Sequence, residues 1–213
     1  MIERRVSTID YYVWLLSDWA YLGGVRFVQL AARHGLKINH IPMRMQDVYA
    51  GSGGVLLADR SWQRQAYRIT ELKRWRSRLG MPVNIEPKFF PVDVDLASCV
   101  VIAAQQRGLP VADFVNAVMR AIWSEEQNVA DPGVLVALAE RCGLEGHGLL
   151  ETADAEAVRA EYGGNTERAL AAGVFGSPFY AFAGELFWGQ DRLDMLEETI
   201  VRLGTGNLGR GPG

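Results

Sequence analysis

The sequence predicts an α/β protein in which two parts of a mixed β-sheet enclose a block of helices. Three features of the chain predict this class. A strand, a helix and a second strand follow one another within residues 8–43. The middle of the chain has helical periodicity, and residues 178–200 read as an aromatic hairpin followed by a helix.

The first unit is a βαβ arrangement. Residues 8–16 are β-branched, aromatic or aliphatic apart from Asp10, which predicts a mostly buried strand. Residues 18–34 have apolar positions at helical spacing and end at a glycine, and residues 36–43 predict a second strand. We therefore expect a parallel strand pair with a right-handed crossover.

The middle of the chain predicts helices at 61–79, 110–127 and 131–142. Asp131 and Pro132 are a typical cap and first helical residue. Another helix is predicted over 153–162. The two glycines at 163–164 are expected to interrupt it, and Asn165 to cap a short helix that ends near Ala172.

Near the C-terminus, two aromatic runs flank Ala183 and Gly184, which is typical of a β-hairpin. Asp191 is expected to cap the last helix. This order of elements describes a thioredoxin-like layout with a large helical insert, the DsbA-like branch of that fold. We expect residues 1–48 and 165–204 to form a split thioredoxin-like domain, 49–164 a helical insertion domain, and 205–213 a flexible tail.

Composition excludes several functions. The chain has 213 residues, 49% of them hydrophobic, and a formal charge of −3 without a basic run, so nucleic acid is not an expected partner. Its apolar runs are too short for a membrane span, and its start lacks the pattern of a secretory signal. A cytoplasmic protein without a membrane partner is predicted. Two distant cysteines and three scattered histidines predict no metal site.

Ser17 is the first candidate for chemistry. In a thioredoxin-like layout, ligands bind where the first helix begins beyond the first strand. A disulfide oxidoreductase carries Cys-x-x-Cys at that position, whereas residues 17–20 are Ser-Asp-Trp-Ala, which excludes disulfide exchange. Two accounts of Ser17 remain open. It is a simple helix cap, or it also donates a hydrogen bond to a ligand's thiolate.

A second candidate is the turn at residues 173–179, Gly-Val-Phe-Gly-Ser-Pro-Phe. A cis Ser177–Pro178 bond there would expose a strand-like backbone edge to a ligand peptide, and an ordinary strand that starts at a proline fits equally well. Gln190 and Asp191 lie at another helix start, where capping is the plainer account of Asp191.

These residues lead to a family. The stretch 17–22, Ser-Asp-Trp-Ala-Tyr-Leu, resembles the Ser-Pro-aromatic-Ser/Ala-aromatic-Leu motif of 2-hydroxychromene-2-carboxylate isomerases and the related kappa-class glutathione transferases. Residues 165–166, 173–178 and 185–193 resemble the isomerase pattern nearly letter for letter. The resemblance implies a thioredoxin-like fold with a helical insertion, a homodimer, and bound glutathione.

The resemblance also implies roles for individual residues. Ser17 would hydrogen-bond the thiol of glutathione. The residues implied in binding the rest of glutathione are Arg64, which stands where the family has a lysine, Ser177, Pro178, Gln190 and Asp191. Those implied beside the substrate are Trp19, Tyr67 and Asn165.

The implied activity is the glutathione-dependent isomerisation of 2-hydroxychromene-2-carboxylate to trans-o-hydroxybenzylidenepyruvate, or of a similar small aromatic acid. Two alternatives stay open: a kappa-like transferase that conjugates electrophiles, and a non-catalytic relative that binds glutathione or a small acid. The chain departs from the pattern at Asp18, where the family has proline, and at residues 55–60, which are additional. Asp18 would oppose a neighbouring thiolate unless its carboxylate points away or caps the helix.

Overall fold

The computed structural model describes residues 7–205. Its strands are β1 (Thr8–Val13), β2 (Lys37–Pro42), β3 (Phe179–Phe182) and β4 (Glu185–Trp188). They form one mixed sheet in the order β2-β1-β3-β4. β1 runs parallel to β2, while β3 is antiparallel to both β1 and β4.

Helices surround this sheet. They are α1 (Asp18–Arg33), α2 (Met45–Ser52), α3 (Trp62–Leu79), α4 (Asp95–Gln106), α5 (Ala112–Trp123), α6 (Pro132–Arg141), α7 (Gly146–Ala153), α8 (Glu156–Ala171) and α9 (Leu193–Thr205). Within residues 7–205, none of these helices combines the length and the apolar character that crossing a bilayer requires.

The predicted βαβ unit is confirmed. β1 and β2 pair in parallel from Thr8 opposite Lys37 to Val13 opposite Pro42, and α1 connects them. β1 is shorter than predicted, because the chain turns at Trp14, whose carbonyl accepts a hydrogen bond from the Ser17 N–H at 2.9 Å. This turn places Ser17 at the carboxyl end of β1, directly before α1.

The predicted hairpin is also confirmed. Ala183 and Gly184 connect β3 to β4 with φ values of 51° and 85°. Two successive residues with positive φ are typical of the tight turns whose twist matches that of paired strands. The short turn fixes the register, in which Phe182 lies opposite Glu185 and Phe179 opposite Trp188.

The sheet is covered on both faces. Alternating residues of β1 divide between two apolar clusters, with Tyr11 in the larger one and Tyr12 in the smaller one. The larger cluster continues into α4, α5 and α6, so the sheet and the inserted helices share one core. At the β2 edge, the side-chain amide of Gln105 accepts a hydrogen bond from the His40 N–H at 3.1 Å and donates one to the His40 carbonyl at 2.7 Å.

Two local predictions are wrong. Gly163 and Gly164 do not interrupt a helix, because α8 runs through them, and Asn165 lies in the middle of α8 instead of capping a shorter one. Asp191 does not cap α9. It lies in a 3₁₀ turn, Gln190–Arg192, and its carboxylate pairs with the Arg192 guanidinium at 3.0 Å.

The helices predicted at 61–79, 110–127 and 131–142 are present as α3, α5 and α6, with the ends of the second and third shorter than predicted. Asp131 does cap α6, since its Oδ1 accepts a hydrogen bond from the Gly133 N–H at 2.8 Å. The predicted tail, 205–213, lies outside the described residues except for Thr205, which ends α9.

Candidate functional site

Ser17 is the N-cap of α1. Its Oγ accepts a hydrogen bond from the Ala20 N–H at 3.2 Å, and its carbonyl accepts one from the Tyr21 N–H at 3.0 Å. The capping account of Ser17 is therefore confirmed. A hydroxyl has one proton and two lone pairs, so the cap uses only part of its capacity, and the thiol-binding role stays a prediction.

The turn before β3 meets Ser17 directly. The Ser177–Pro178 peptide bond is cis. Ser17 Oγ donates to the Ser177 carbonyl at 3.1 Å, and the Ser177 hydroxyl accepts a hydrogen bond from the Trp14 N–H at 2.9 Å. These two bonds bring together the candidate segments that the sequence separates by about 160 residues.

Asp18 is ion-paired inside the protein. Its Oδ2 lies 2.6 Å from Nη2 of Arg68 on α3, and the two side chains are only 8% and 13% exposed. Its Oδ1 accepts a hydrogen bond from the Trp19 N–H at 2.8 Å. Burial raises the pKa of the Asp18 carboxyl, and the Arg68 guanidinium and the Trp19 N–H partly oppose that rise. The carboxylate thus serves the first turn of α1 and holds a buried cation.

These residues line a small enclosed space, which we call the inner cavity, of about 70 Å³. Its walls come from the turn after β1, from α2, from the segment that precedes α3, from α3 itself and from the turn before β3. The lining residues are Trp14, Leu16, Ser17, Asp18, Trp19, Met45, Tyr49, Leu56, Leu57, Arg60, Arg68, Phe90 and Ser177.

A second, more open space, which we call the outer groove, adjoins the inner cavity and has a volume of about 350 Å³. It is lined by Trp19, Arg60, Gln63, Arg64, Tyr67, Arg68 and Glu71. Trp19, Arg60 and Arg68 belong to both linings, so these three side chains separate the two spaces. Pockets for small ligands usually have volumes of about 300–1,000 Å³, and of these two spaces the outer groove falls in that range.

The structure brings several of the predicted site residues together. Ser17, Trp19 and Ser177 line the inner cavity, and Pro178 follows directly in the chain and is buried. Arg64 and Tyr67 line the outer groove, one helical turn apart on α3. Together they form a continuous surface from the start of α1 to the exposed side of α3.

Three predicted site residues lie elsewhere. Gln190 is 2% exposed, and Arg26 donates hydrogen bonds to both its side-chain and its backbone oxygen. A Cβ on Gly23 would come within 2.8 Å of the Gln190 Cβ, so this glycine allows α1 to approach it closely. Asp191 and Asn165, like Gln190, are absent from both linings.

Sequence reasoning missed Arg60 and Phe90, and it gave Arg68 no partner. A signal for the ion pair was present, because a carboxylate that replaces proline at a buried helix start needs a cation. Arg68 lies one helical turn after Arg64, so the same face of α3 carries a second guanidinium toward the site. The additional residues 55–60 have no helix or strand pattern, so the sequence does not indicate where the side chain of Arg60 points.

Among the described residues, no three or more His, Cys, Asp or Glu side chains are grouped so that they could hold a metal ion. Cys99 is buried, Cys142 is half-buried, and both are free thiols. The polar and aromatic groups that line the two spaces are hydroxyls, guanidinium groups, carboxylates and aromatic rings.

The chain is similar to known proteins along most of its length. The chain matches the DSBA-like thioredoxin domain family over residues 8–201. It is 30% identical to the 2-hydroxychromene-2-carboxylate isomerase of Sphingobium xenophagum over 197 residues, which cover 92% of this chain and 98% of that protein. It is also 22% identical to glutathione S-transferase kappa 1 of Homo sapiens, with 91% and 90% of the two chains covered.

A solved structure of a 2-hydroxychromene-2-carboxylate isomerase superimposes with a TM-score of 0.79 at 26% sequence identity, covering 94% of this chain and 98% of that one. The predicted fold, thioredoxin-like with a large helical insertion of the DsbA type, is confirmed.

Proposed function

Because this chain belongs to the 2-hydroxychromene-2-carboxylate isomerase family, within the DSBA-like thioredoxin domain family, we propose that it is a glutathione-dependent isomerase of a small aromatic acid. One observation supports this most strongly. A capping serine at the start of α1 and the serine before a cis proline meet at a cavity whose outer side is lined by aromatic and guanidinium groups.

The residues present fit glutathione. No described residue accepts a hydrogen bond from the backbone N–H of Ser177, which leaves this donor for a peptide carbonyl. The Ser17 hydroxyl lies at the positive end of the α1 dipole, where an anion such as a thiolate is stabilised. Arg64 in the outer groove supplies a guanidinium for a carboxylate. Roles for Pro178, Gln190 and Asp191 in holding glutathione stay part of the proposal.

Glutathione, held by Ser17, Ser177 and Arg64, would supply a thiolate for reversible addition to the conjugated side chain of the acid. Ser17 turns its hydroxyl from the Ser177 carbonyl to the sulfur and lowers the pKa of the thiol. Asp18 does not cancel this effect, because Arg68 neutralises its charge at 2.6 Å. Trp19 and Tyr67 offer aromatic surface to the substrate ring.

Calorimetric titration with reduced glutathione and with its S-methyl derivative tests the binding part of the proposal. We expect reduced glutathione to bind and the S-methyl derivative to bind more weakly, because the methyl group prevents the sulfur from forming a thiolate that accepts a hydrogen bond from Ser17. Equal binding of the two, or binding of neither, would contradict the proposal.

The reaction type is tested by following both substrate absorbance and free thiol. We expect absorbance of 2-hydroxychromene-2-carboxylate or a related acid to change while the thiol concentration stays constant. Thiol consumed in step with substrate would instead identify the transferase suggested by the kappa-class relative.

Replacing Ser17 by alanine should lower kcat/KM by at least roughly tenfold, since the hydrogen bond to the sulfur is removed. The same change removes a helix cap, which costs about 1 kcal/mol of stability. Asp131→Ala is a matched control, because it removes the cap of α6, outside both cavity linings. Both variants should lose stability, Ser17→Ala somewhat more because it also loses the hydrogen bond to the Ser177 carbonyl, and only Ser17→Ala should lose activity. A fully active Ser17→Ala variant would refute the role of Ser17.

We also propose that the protein acts in the cytoplasm as a homodimer. The two free thiols, Cys99 and Cys142, suit a reducing compartment, which is also where reduced glutathione is available. Light scattering of the purified protein that gives the mass of a single chain would contradict the dimer.

A further inference from the structure

The inner cavity contains more positive than negative charge. Its lining includes two guanidinium groups, Arg60 and Arg68, and one carboxylate, Asp18. One positive charge is therefore uncompensated in a partly enclosed space. Because an unpaired charge is costly away from bulk water, this arrangement favours the entry of one further anion.

Arg68 is held in place by its neighbours and has N–H donors that are not used in these contacts. Its guanidinium lies over the rings of Phe90 and Trp123, with centroid distances of 5.5 and 5.6 Å, and contacts the Asp18 carboxylate through a single nitrogen. A guanidinium has five N–H donors in a planar fork, so most of them stay available. The two aromatic rings restrict its motion, which lowers the entropic cost of binding a second carboxylate.

Arg60 forms no close ion pair among the described residues, and Asp18, whose carboxyl it also influences, is already paired with Arg68. The Nε of Arg60 donates to the Val55 carbonyl at 2.8 Å, and its Nη2 donates to the Tyr49 hydroxyl at 3.1 Å. Both contacts orient the guanidinium, and neither neutralises it. Arg60 lines both the inner cavity and the outer groove.

We propose that Arg60 and Arg68 form a subsite for the carboxylate of the acid substrate, with Asp18 as the resident counter-ion that keeps Arg68 in place. This inference rests on the proposed function and adds to it the residues that select an anionic substrate. The ring of the substrate then lies against Trp19, which lines both spaces.

The subsite is built from features that distinguish this chain from the family pattern. Arg60 ends the additional segment 55–60, which also brings Leu56 and Leu57 to the cavity wall. Asp18 stands where the family has proline. The additional segment thus supplies one guanidinium, that of Arg60, and Asp18 holds a second, that of Arg68. Both lie where this chain departs from the substrate-side pattern of the family.

The experiment compares trans-cinnamate with cinnamamide, two flat ligands of similar shape that differ in charge. Calorimetry on the full-length protein should give cinnamate a dissociation constant about tenfold lower than that of cinnamamide, since charge-assisted hydrogen bonds are made only by the carboxylate. Arg60→Gln should weaken cinnamate binding about fivefold to tenfold and leave cinnamamide unchanged.

Arg78→Gln is the matched control. Arg78 is also an exposed arginine of α3, its guanidinium lies over the ring of Trp75, and it lines neither space, so its removal should leave cinnamate binding unchanged. Replacing Arg68 alone would leave Asp18 unpaired and could unfold the protein, so the second variant is Asp18→Asn/Arg68→Gln. It should keep only the part of the preference for cinnamate that Arg60 provides, so the ratio of the two dissociation constants should be smaller than in the wild-type protein.

Equal affinity of the wild-type protein for the two ligands, or undetectable binding of both, would overturn the subsite. The same holds if Arg60→Gln weakens the binding of reduced glutathione and leaves cinnamate binding unchanged, because the carboxylate received would then belong to glutathione. A protein that prefers cinnamate yet fails to bind glutathione would retain the subsite and disprove the proposed function.

Discussion

The free energy of unfolding of the variant Arg68→Met should be about 3–5 kcal/mol lower than that of the wild-type protein at neutral pH. Removing the guanidinium leaves the Asp18 carboxylate buried without the cation that pairs with it. Methionine keeps an unbranched apolar side chain beside the rings of Phe90 and Trp123, over which the guanidinium lies, so the lost charge outweighs the change in packing. Urea denaturation followed by circular dichroism measures the difference.

Two comparisons separate the orphaned charge from other causes. The double variant Asp18→Asn/Arg68→Met should recover most of the missing stability, because no buried charge remains. The deficit of Arg68→Met relative to wild type should also shrink as the pH falls. Burial already raises the Asp18 pKa in the folded protein, and without Arg68 it rises further, so the folded state binds the proton more tightly than the unfolded chain. A double variant as unstable as Arg68→Met would show that the ion pair is not the cause.

The wild-type protein should lose about 3 kcal/mol of stability between pH 7 and pH 4 through His40 alone. Burial lowers the pKa of His40 from 6.5 to about 4. The imidazole lies inside the protein against Tyr11, where no water would solvate the positive charge of the protonated ring. The unfolded chain therefore binds a proton before the folded protein does. The contribution of the neutral ring to the free energy of unfolding is fully present above pH 6.5 and is lost as the pH falls toward 4.

Urea titrations at pH 7, 5 and 4 measure this loss. The variant His40→Phe removes the titrating group and keeps an aromatic ring beside Tyr11, so its stability should fall less steeply with acid than that of wild type. His147→Gln is the matched control, because His147 is exposed on α7, and its curve should follow wild type. Identical slopes for His40→Phe and wild type would exclude His40 as the source.

The elements that the sequence predicted well are those with one apolar face or a clear boundary. α3 and α5 are amphipathic, and Asp131 and Pro132 mark the start of α6. α4 was missed because residues 97–104 are all buried, which leaves no polar face to create a period. α8 was divided wrongly because glycine lowers helix propensity, whereas packing against α2 and α4 keeps this helix continuous.

The candidate site divides in the same way. Ser17 and Ser177 could be predicted because each belongs to a short local motif whose position in a thioredoxin-like fold is known. The partner of Asp18 could not, because Arg68 is 50 positions later, and only the packing of α3 against α1 brings the charges together. Gln190 is the converse case, since its motif could be recognised in the sequence, whereas the hydrogen bonds from Arg26 to its side chain and backbone could not.

The two hydrogen bonds between Gln105 and the backbone of His40 close one border of the sheet. The amide group of Gln105 offers one donor and one acceptor, as a residue of a fifth strand would. A strand from another molecule therefore meets a backbone position that is already paired when it approaches β2. Strand addition at β2 would thus have to displace the Gln105 amide from His40, whereas the opposite border, at β4, exposes the side chains of Leu186 and Trp188.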